Sequence, residues 1–219
     1  MKAVPRRFYR RDAAVVAPEL LNKLLVVGGR AGRIVEVEAY RGSDDPGSHA
    51  FGGPTRRNAV MFGPPGLLYV YFSYGMHWCA NAVCHRQGIP HAVLIRALEP
   101  VTGLAEMRLA RSGASRAAVA ARAGAGLGAC AAGSGGRAKR PVADRDLCRG
   151  PGRLCQALGI GGVHNGSDLV TGEGGVRIAD DGVEPPDAAG VSVRIGLTKG
   201  ADAPLRFFLA GDRHLSRPG

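Results

Sequence analysis

Apolar and polar residues alternate with a period of two along RIVEVEAY, residues 33–40, which predicts a β-strand with two unlike faces. Val35, Val37 and Ala39 fall on the face assigned to the core. Ile34, Glu36, Glu38 and Tyr40 fall on the other, so two carboxylates and a tyrosine share one surface. Residues 24–27 form another β-rich run, and the GGRAG between them reads as the glycine-rich turn of a hairpin. Upstream, Asp12 is placed to cap a short helix over AAVVAPELL that Pro18 limits or kinks. LLYVYFSY and MHWCANAVC predict a second strand pair around Tyr74-Gly75, followed by a strand AVLIRALEP that Pro100 ends. Residues 102–110 have helical character. DRDLCRGPGRLCQALGI predicts a helix opened by Gly150-Pro151-Gly152 and closed by Gly159, and VSVRIGLT and PLRFFLAG read as two more strands.

Two stretches break these patterns. Residues 42–66, rich in Gly, Pro, Ser, Asp and Asn, are too long for an ordinary connection and form a candidate functional loop holding His49 and Arg56-Arg57. Residues 112–140 are nearly all Ala, Gly, Arg, Ser and Val, which predicts a flexible basic insertion with no core of its own. With 219 residues the chain can bury one substantial core, so a single catalytic domain over 1–219 is expected.

Charge narrows the partner. The chain carries 29 Lys+Arg against 18 Asp+Glu, a formal net charge of +11, which favours nucleic acid over an anionic membrane surface. Nearly all of that excess is arginine, because the lysines are only Lys2, Lys23, Lys139 and Lys199. The five cysteines are odd in number and irregularly spaced, and the N-terminus is too charged for a secretory segment. A reduced, cytoplasmic location is expected, at the nucleoid of a bacterium or in the nucleus of a eukaryote. No window approaches the roughly 18 consecutive apolar residues of a membrane span. His77, Cys79, Cys84, His85 and His91 lie on predicted strands without a tight CxxC pair, so no metal site is expected.

The segments GRIVEVEAYRGSDDPGSHAF, NAVMFGPPGLLYVYFSYGMHWCANAV, AVLIRALEPVTGL, DLCRGPGRLCQALGI, RIGLT and PLRFF resemble, in order and spacing, the alkyladenine (3-methyladenine) DNA glycosylase family. The similarity covers nearly the whole chain outside its first residues and the insertion. It implies a single α+β domain with a curved, antiparallel-rich sheet, flanking helices and a protruding β-hairpin that intercalates into DNA. No metal or other cofactor is implied. The implied partner is double-stranded DNA containing damaged purines, met by a monomer that does not engage membranes. The implied reaction is monofunctional base excision: an alkylated or deaminated purine is flipped out and its N-glycosidic bond hydrolysed, leaving an abasic site.

Breaking that bond passes through an oxocarbenium-like sugar, so a base for water and a negative charge beside the cation are both needed. Glu36 and Glu38 both suit by position; the resemblance assigns the base to Glu38. Arg96, inside the apolar AVLIRALEP, needs a carboxylate or a bound group and is the expected partner of that glutamate. The family pattern places the water between these two and the backbone carbonyl of Leu197. It further implies that Tyr40 and Tyr71 stack on the base, with Tyr69 on the core side or flanking. His49 hydrogen-bonds the base, and the bulk of Asn81 disfavours the exocyclic amino group of guanine. Tyr74, at a predicted hairpin tip, is expected to fill the hole left by the flipped base, with Met76 beside it. Arg57 and Arg153 are expected on phosphates, the latter with the Gly-Pro-Gly helix entrance. A strand-cutting glycosylase uses an amine to form a Schiff base, and no lysine stands in a matching site block. The competing readings are a noncatalytic binder of damaged or distorted DNA, which needs no Glu38–Arg96 pair, and a helix-hairpin-helix glycosylase, whose signatures lie on helices.

Overall fold

The two-faced strand is the axis of the fold. In the computed structural model, which describes residues 1–112 and 142–218, the strand runs longer than predicted, as β3 (Arg30–Tyr40). Residues 113–140 of the expected basic insertion lie outside the described residues. The remaining strands are β1 (Lys2–Ala3), β2 (Leu24–Val27), β4 (Leu68–Ser73), β5 (His77–Cys84), β6 (His91–Thr102), β7 (Val176–Asp180), β8 (Gly190–Ser192) and β9 (Arg206–Phe208). They join antiparallel in the order β1-β7-β2-β3-β6-β5-β4. A branch leaves this path at β3, whose residues 36–38 pair β9, which in turn pairs β8. Helices α1 (Arg6–Tyr9), α2 (Ala13–Leu20), α3 (Leu104–Arg111) and α4 (Pro151–Leu158) complete a mixed α+β architecture.

The main core lies on one face of this sheet. Val37 and Ala39 of β3, Val93 and Ile95 of β6, and Ala80 and Ala82 of β5 pack there with α2 and α4. Asp12 caps α2 as expected, its Oδ1 accepting from Ala14 N at 2.8 Å. Gly159, at φ 79°, closes α4. The opposite face carries Glu36, Glu38 and Tyr40, so the period-two reading holds for the outer half of β3.

Nearer its start the pattern fails. Ile34 belongs to the main core with Val37, whereas Val35 packs with Ala97, Phe208 and Leu215. The ladder with β6 explains the exchange: Ile34 opposes Leu98 and Glu36 opposes Ala97, then Val37 opposes Ile95. Val35 is thus an extra residue on β3, and Arg96 is one on β6. Two compensating bulges re-aim side chains where the carboxylates meet the arginine, and alternation alone does not reveal them.

Other differences are local. The hairpin turn is Gly28-Gly29 alone, since Val27 pairs with Arg30, and Gly28 takes the left-handed φ of 55°. Pro100 does not end β6, which continues to Thr102. Pairing with β5 stops at Leu94, so Pro100 lies where one edge of β6 is free of that neighbour, a place where a proline is tolerated. Only residues 191–192 of VSVRIGLT are strand, and RIGLT is irregular. β1 and β7 lacked a readable period. Among the described residues, no helix is long and apolar enough to cross a membrane.

Candidate active site

A cavity of about 140 Å³ opens over the polar face of the sheet. Tyr40, Leu94, Arg96, Tyr69, Tyr71, Cys79 and Asn81 reach it from β3, β6, β4 and β5. His49 comes from the long loop, Tyr74 from the hairpin tip, and Ile195, Gly196 and Leu197 from the irregular C-terminal segment. Residues far apart in sequence therefore meet because four strands and three connecting segments share one side of one sheet.

Glu38 sits directly behind this wall, 0 % exposed. Its Oε2 accepts from Tyr40 Oη at 2.8 Å, its Oε1 accepts from Ile195 N at 2.7 Å, and Arg96 Nη1 lies 3.2 Å from Oε1. All three partners line the cavity. Burial first, and then the nearby Glu38 carboxylate, push the Tyr40 phenol well above its ordinary range, so it remains a hydrogen-bond donor.

Glu36 is also 0 % exposed but differently employed. Its Oε1 accepts from Arg96 Nε at 2.9 Å, Arg206 Nε at 2.8 Å and Ser216 Oγ at 2.7 Å, while Oε2 accepts from Ser216 N. An ionised carboxylate offers about four acceptor positions. Glu36 takes four hydrogen bonds, three of them from Arg206 and Ser216 outside the cavity wall, whereas Glu38 takes two hydrogen bonds and one ionic contact, all from residues that line the cavity. The expected Glu38–Arg96 pair is therefore present, and Arg96 bridges both carboxylates. Burial opposes ionisation of Glu36, but Arg96, Ser216 and Arg206 outweigh it and hold the carboxyl below its ordinary 4.5.

That shift has a sign. A carboxyl with a lower pKa in the folded chain adds stability above the unfolded value, and this stability is lost as pH falls through the folded value. Wild-type stability, followed by circular dichroism in urea, is expected to decline as pH falls below about 4.5, with a shallower decline in Glu36→Gln. Equal slopes would remove Glu36 from the acid response.

The aromatic wall is ordered from within. Tyr69 and Tyr71 stack with centroids 5.4 Å apart, and Tyr69 is buried at the cavity's inner side, both core member and flanking group. His49 Nδ1 lies 3.2 Å from Tyr69 Oη, and its ring stands edge-on to Tyr71 at 4.4 Å. Partial burial, and next the charge of Arg57, lower the His49 pKa, favouring the neutral ring. Asn58, buried in the long loop, donates to the carbonyls of His49 and Gly53 and so fixes the segment that presents His49. Asn81 is buried, its amide donating to Tyr69 O at 3.1 Å.

The hairpin tip is the β4–β5 turn. Tyr74 has φ 49° and Gly75 φ 66°, both left-handed, and Tyr74 is 80 % exposed. A non-glycine residue in that conformation costs about 1–2 kcal/mol, and here it holds an aromatic ring out at the cavity edge. Met76 is exposed beside it and does not line the cavity. Arg57 lies at the rim, 5.5 Å over the Tyr71 ring and donating to Phe72 O. Arg153 lies outside, in an adjoining cleft of about 390 Å³ with Arg111, Arg149 and His77, which shares Pro151 with the first cavity. Gly152 is required there, because a Cβ would fall 2.6 Å from the His77 ring.

Sequence reasoning missed four residues that hold the site together. Arg206 and Ser216 hold Glu36 by three hydrogen bonds. Arg194, in RIGLT, is buried against Asp45 of the long loop and so ties the two cavity loops together. The signal for Arg194 and Arg206 was the one that marked Arg96, an arginine inside an apolar run. The cysteines and histidines considered for a metal scatter: His77 meets Gly152, Cys79 lines the cavity, and the His85 ring lies tilted against His91. Among the described residues, no group of three or more His, Cys, Asp or Glu is arranged to hold a metal ion.

Residues 7–213 match the model of the methylpurine-DNA glycosylase family. A protein of Burkholderia cenocepacia named as a candidate 3-methyladenine DNA glycosylase is 50 % identical over 214 residues, covering 97 % of this chain and 90 % of the relative. Identically named proteins of Rhodopseudomonas palustris and Nitrobacter winogradskyi are 46 % and 44 % identical, each aligned over at least 97 % of this chain and 88 % or more of its own length. The chain belongs to the methylpurine-DNA glycosylase family.

Proposed function

We propose that the protein is a monofunctional DNA glycosylase of base excision repair, acting on alkylated and deaminated purines of the 3-methyladenine, 7-methylguanine, hypoxanthine and ethenoadenine class. One observation carries the reading: a buried glutamate whose three hydrogen-bonding or ionic partners all line an aromatic cavity. A module that only binds distorted DNA has no use for that carboxylate.

In this reading a damaged purine leaves the duplex and enters the cavity between Tyr40 and Tyr71, with Tyr74 filling the gap and Met76 beside it. Stacking supplies about 1–3 kcal/mol per base, against an unstacking cost of a few kcal/mol that is lowest for damaged or mispaired bases. His49 hydrogen-bonds the base edge, and the bulk of Asn81 disfavours, without excluding, a guanine amino group. Water held by Glu38, Arg96 and the Leu197 carbonyl attacks the sugar carbon as the bond to the base breaks. Its proton passes to Glu38, whose charge also opposes that of the oxocarbenium. Arg57 and the Arg153 cleft hold phosphates.

Among the lysines, Lys23 is buried against Asp180, and neither Lys2 nor Lys199 lines the cavity; Lys139 lies outside the described residues. Wild-type protein on a duplex with one hypoxanthine is therefore expected to release the free base and leave an unbroken abasic strand. Borohydride added during turnover is expected to trap no covalent complex. A trapped complex overturns the hydrolytic mechanism, and binding without base release favours the noncatalytic reading.

A further inference from the structure

Tyr40 has two faces, and only one is available to a base. Arg194, 3 % exposed, stands with its guanidinium carbon 4.6 Å from the Tyr40 ring centroid. Tyr40 lines the cavity and Arg194 does not, so the guanidinium covers the face turned away from the base site. The arginine is firmly held: Nη2 donates to Asp45 Oδ1 at 2.7 Å and Gly200 O at 2.9 Å, and Nη1 donates to Asp45 Oδ2 and, at 3.0 Å, to Ala39 O. It accounts for the order of Tyr40, but the same arrangement has an electrostatic effect on whatever stacks there.

A cation over one face of an aromatic ring uses the ring's quadrupole and leaves less for a cation on the other face. It also repels that second cation directly, at a separation on the order of 10 Å through protein rather than salt solution. Asp45, paired with both terminal nitrogens of the guanidinium, offsets part of this charge. Purine lesions divide along the same line: N7-alkylated guanine carries a positive charge, and hypoxanthine is neutral. We propose that Arg194 is a specificity-determining residue whose charge on the outer face of Tyr40 disfavours cationic alkylated purines relative to neutral purine lesions, with Asp45 setting the strength of the bias. The inference rests on the glycosylase reading above.

The test is the ratio of single-turnover excision rates for 7-methylguanine and hypoxanthine in identical duplexes, taken on one preparation of each variant so that the folded fraction cancels. Arg194→Gln removes the cation and is expected to raise the ratio about three- to tenfold. Asp45→Asn leaves the cation uncompensated and is expected to lower it, and Arg194→Lys, which keeps the charge, is expected to hold it near the wild-type value. Opposite movements in the Gln and Asn variants are the signature of charge, since loss of a merely structural clasp moves both ratios alike. Should Arg194→Gln not fold, the direction of Asp45→Asn decides. Ratios that stay constant, or that move the same way in both, overturn the proposal. Wild-type protein that excises neither lesion instead overturns the glycosylase reading on which it rests.

Discussion

Glu38→Gln is expected to slow single-turnover base release by roughly 100- to 10,000-fold, the usual worth of a positioned general base. The substitution keeps the shape of the side chain. Its carbonyl oxygen still accepts one of the hydrogen bonds from Ile195 N and Tyr40 Oη. What is lost is a proton acceptor for water and the negative charge beside the developing oxocarbenium. Affinity for lesion-containing duplex is expected to stay close to wild type, because neither the Tyr74 tip nor the basic rim is touched. A fall in rate matched by an equal fall in affinity would make Glu38 a binding residue instead. Rates within a factor of about three of wild type would take it out of the chemistry altogether.

Arg96→Gln is expected to damage both folding and rate. Arg96 is buried between two fully buried carboxylates, with Nε on Glu36 at 2.9 Å and Nη1 at 3.2 Å from Glu38. Removing one member of a buried ionic group typically costs about 3–5 kcal/mol, against a total stability of roughly 5–15 kcal/mol. For a chain of this size that corresponds to a fall in Tm of roughly 6–20 °C, measurable by circular dichroism. The effect on rate, read on the protein that remains folded, is expected because Glu38 loses the cation that orients it and the water loses a neighbour. Arg96→Lys is not expected to restore either, since one ammonium cannot span both carboxylates as the two arms of a guanidinium do. An unchanged Tm would show that Glu36, with Arg206 and Ser216 still on it, needs no contribution from Arg96.

The site was more legible than the sheet that presents it. Period-two alternation placed Glu36, Glu38 and Tyr40 on one face because that end of β3 is regular. It misplaced Ile34 and Val35 because the bulges at Val35 and Arg96 cancel in register, and a cancelling pair leaves no trace in the spacing. Tyr74 was readable because Gly75 after it marks a tight turn between two apolar runs. Glu36 and Glu38 were indistinguishable because their difference lies in partners 157 to 180 residues downstream, Ile195 for one and Arg206 with Ser216 for the other. The Arg194–Asp45 pair was hidden for the same reason: each half sits in an irregular loop, and only the folded chain brings them together.

In the proposed mechanism Glu38 performs the chemistry and Glu36 holds the frame. This division is tested most directly by comparing Glu36→Gln with Glu38→Gln in single-turnover excision of hypoxanthine, normalised to the folded fraction of each protein. Glu38→Gln is expected to melt near wild type and lose its rate, while Glu36→Gln is expected to melt lower and retain most of its rate per folded molecule. The reverse pattern, a stable but inactive Glu36→Gln beside an active Glu38→Gln, would contradict it.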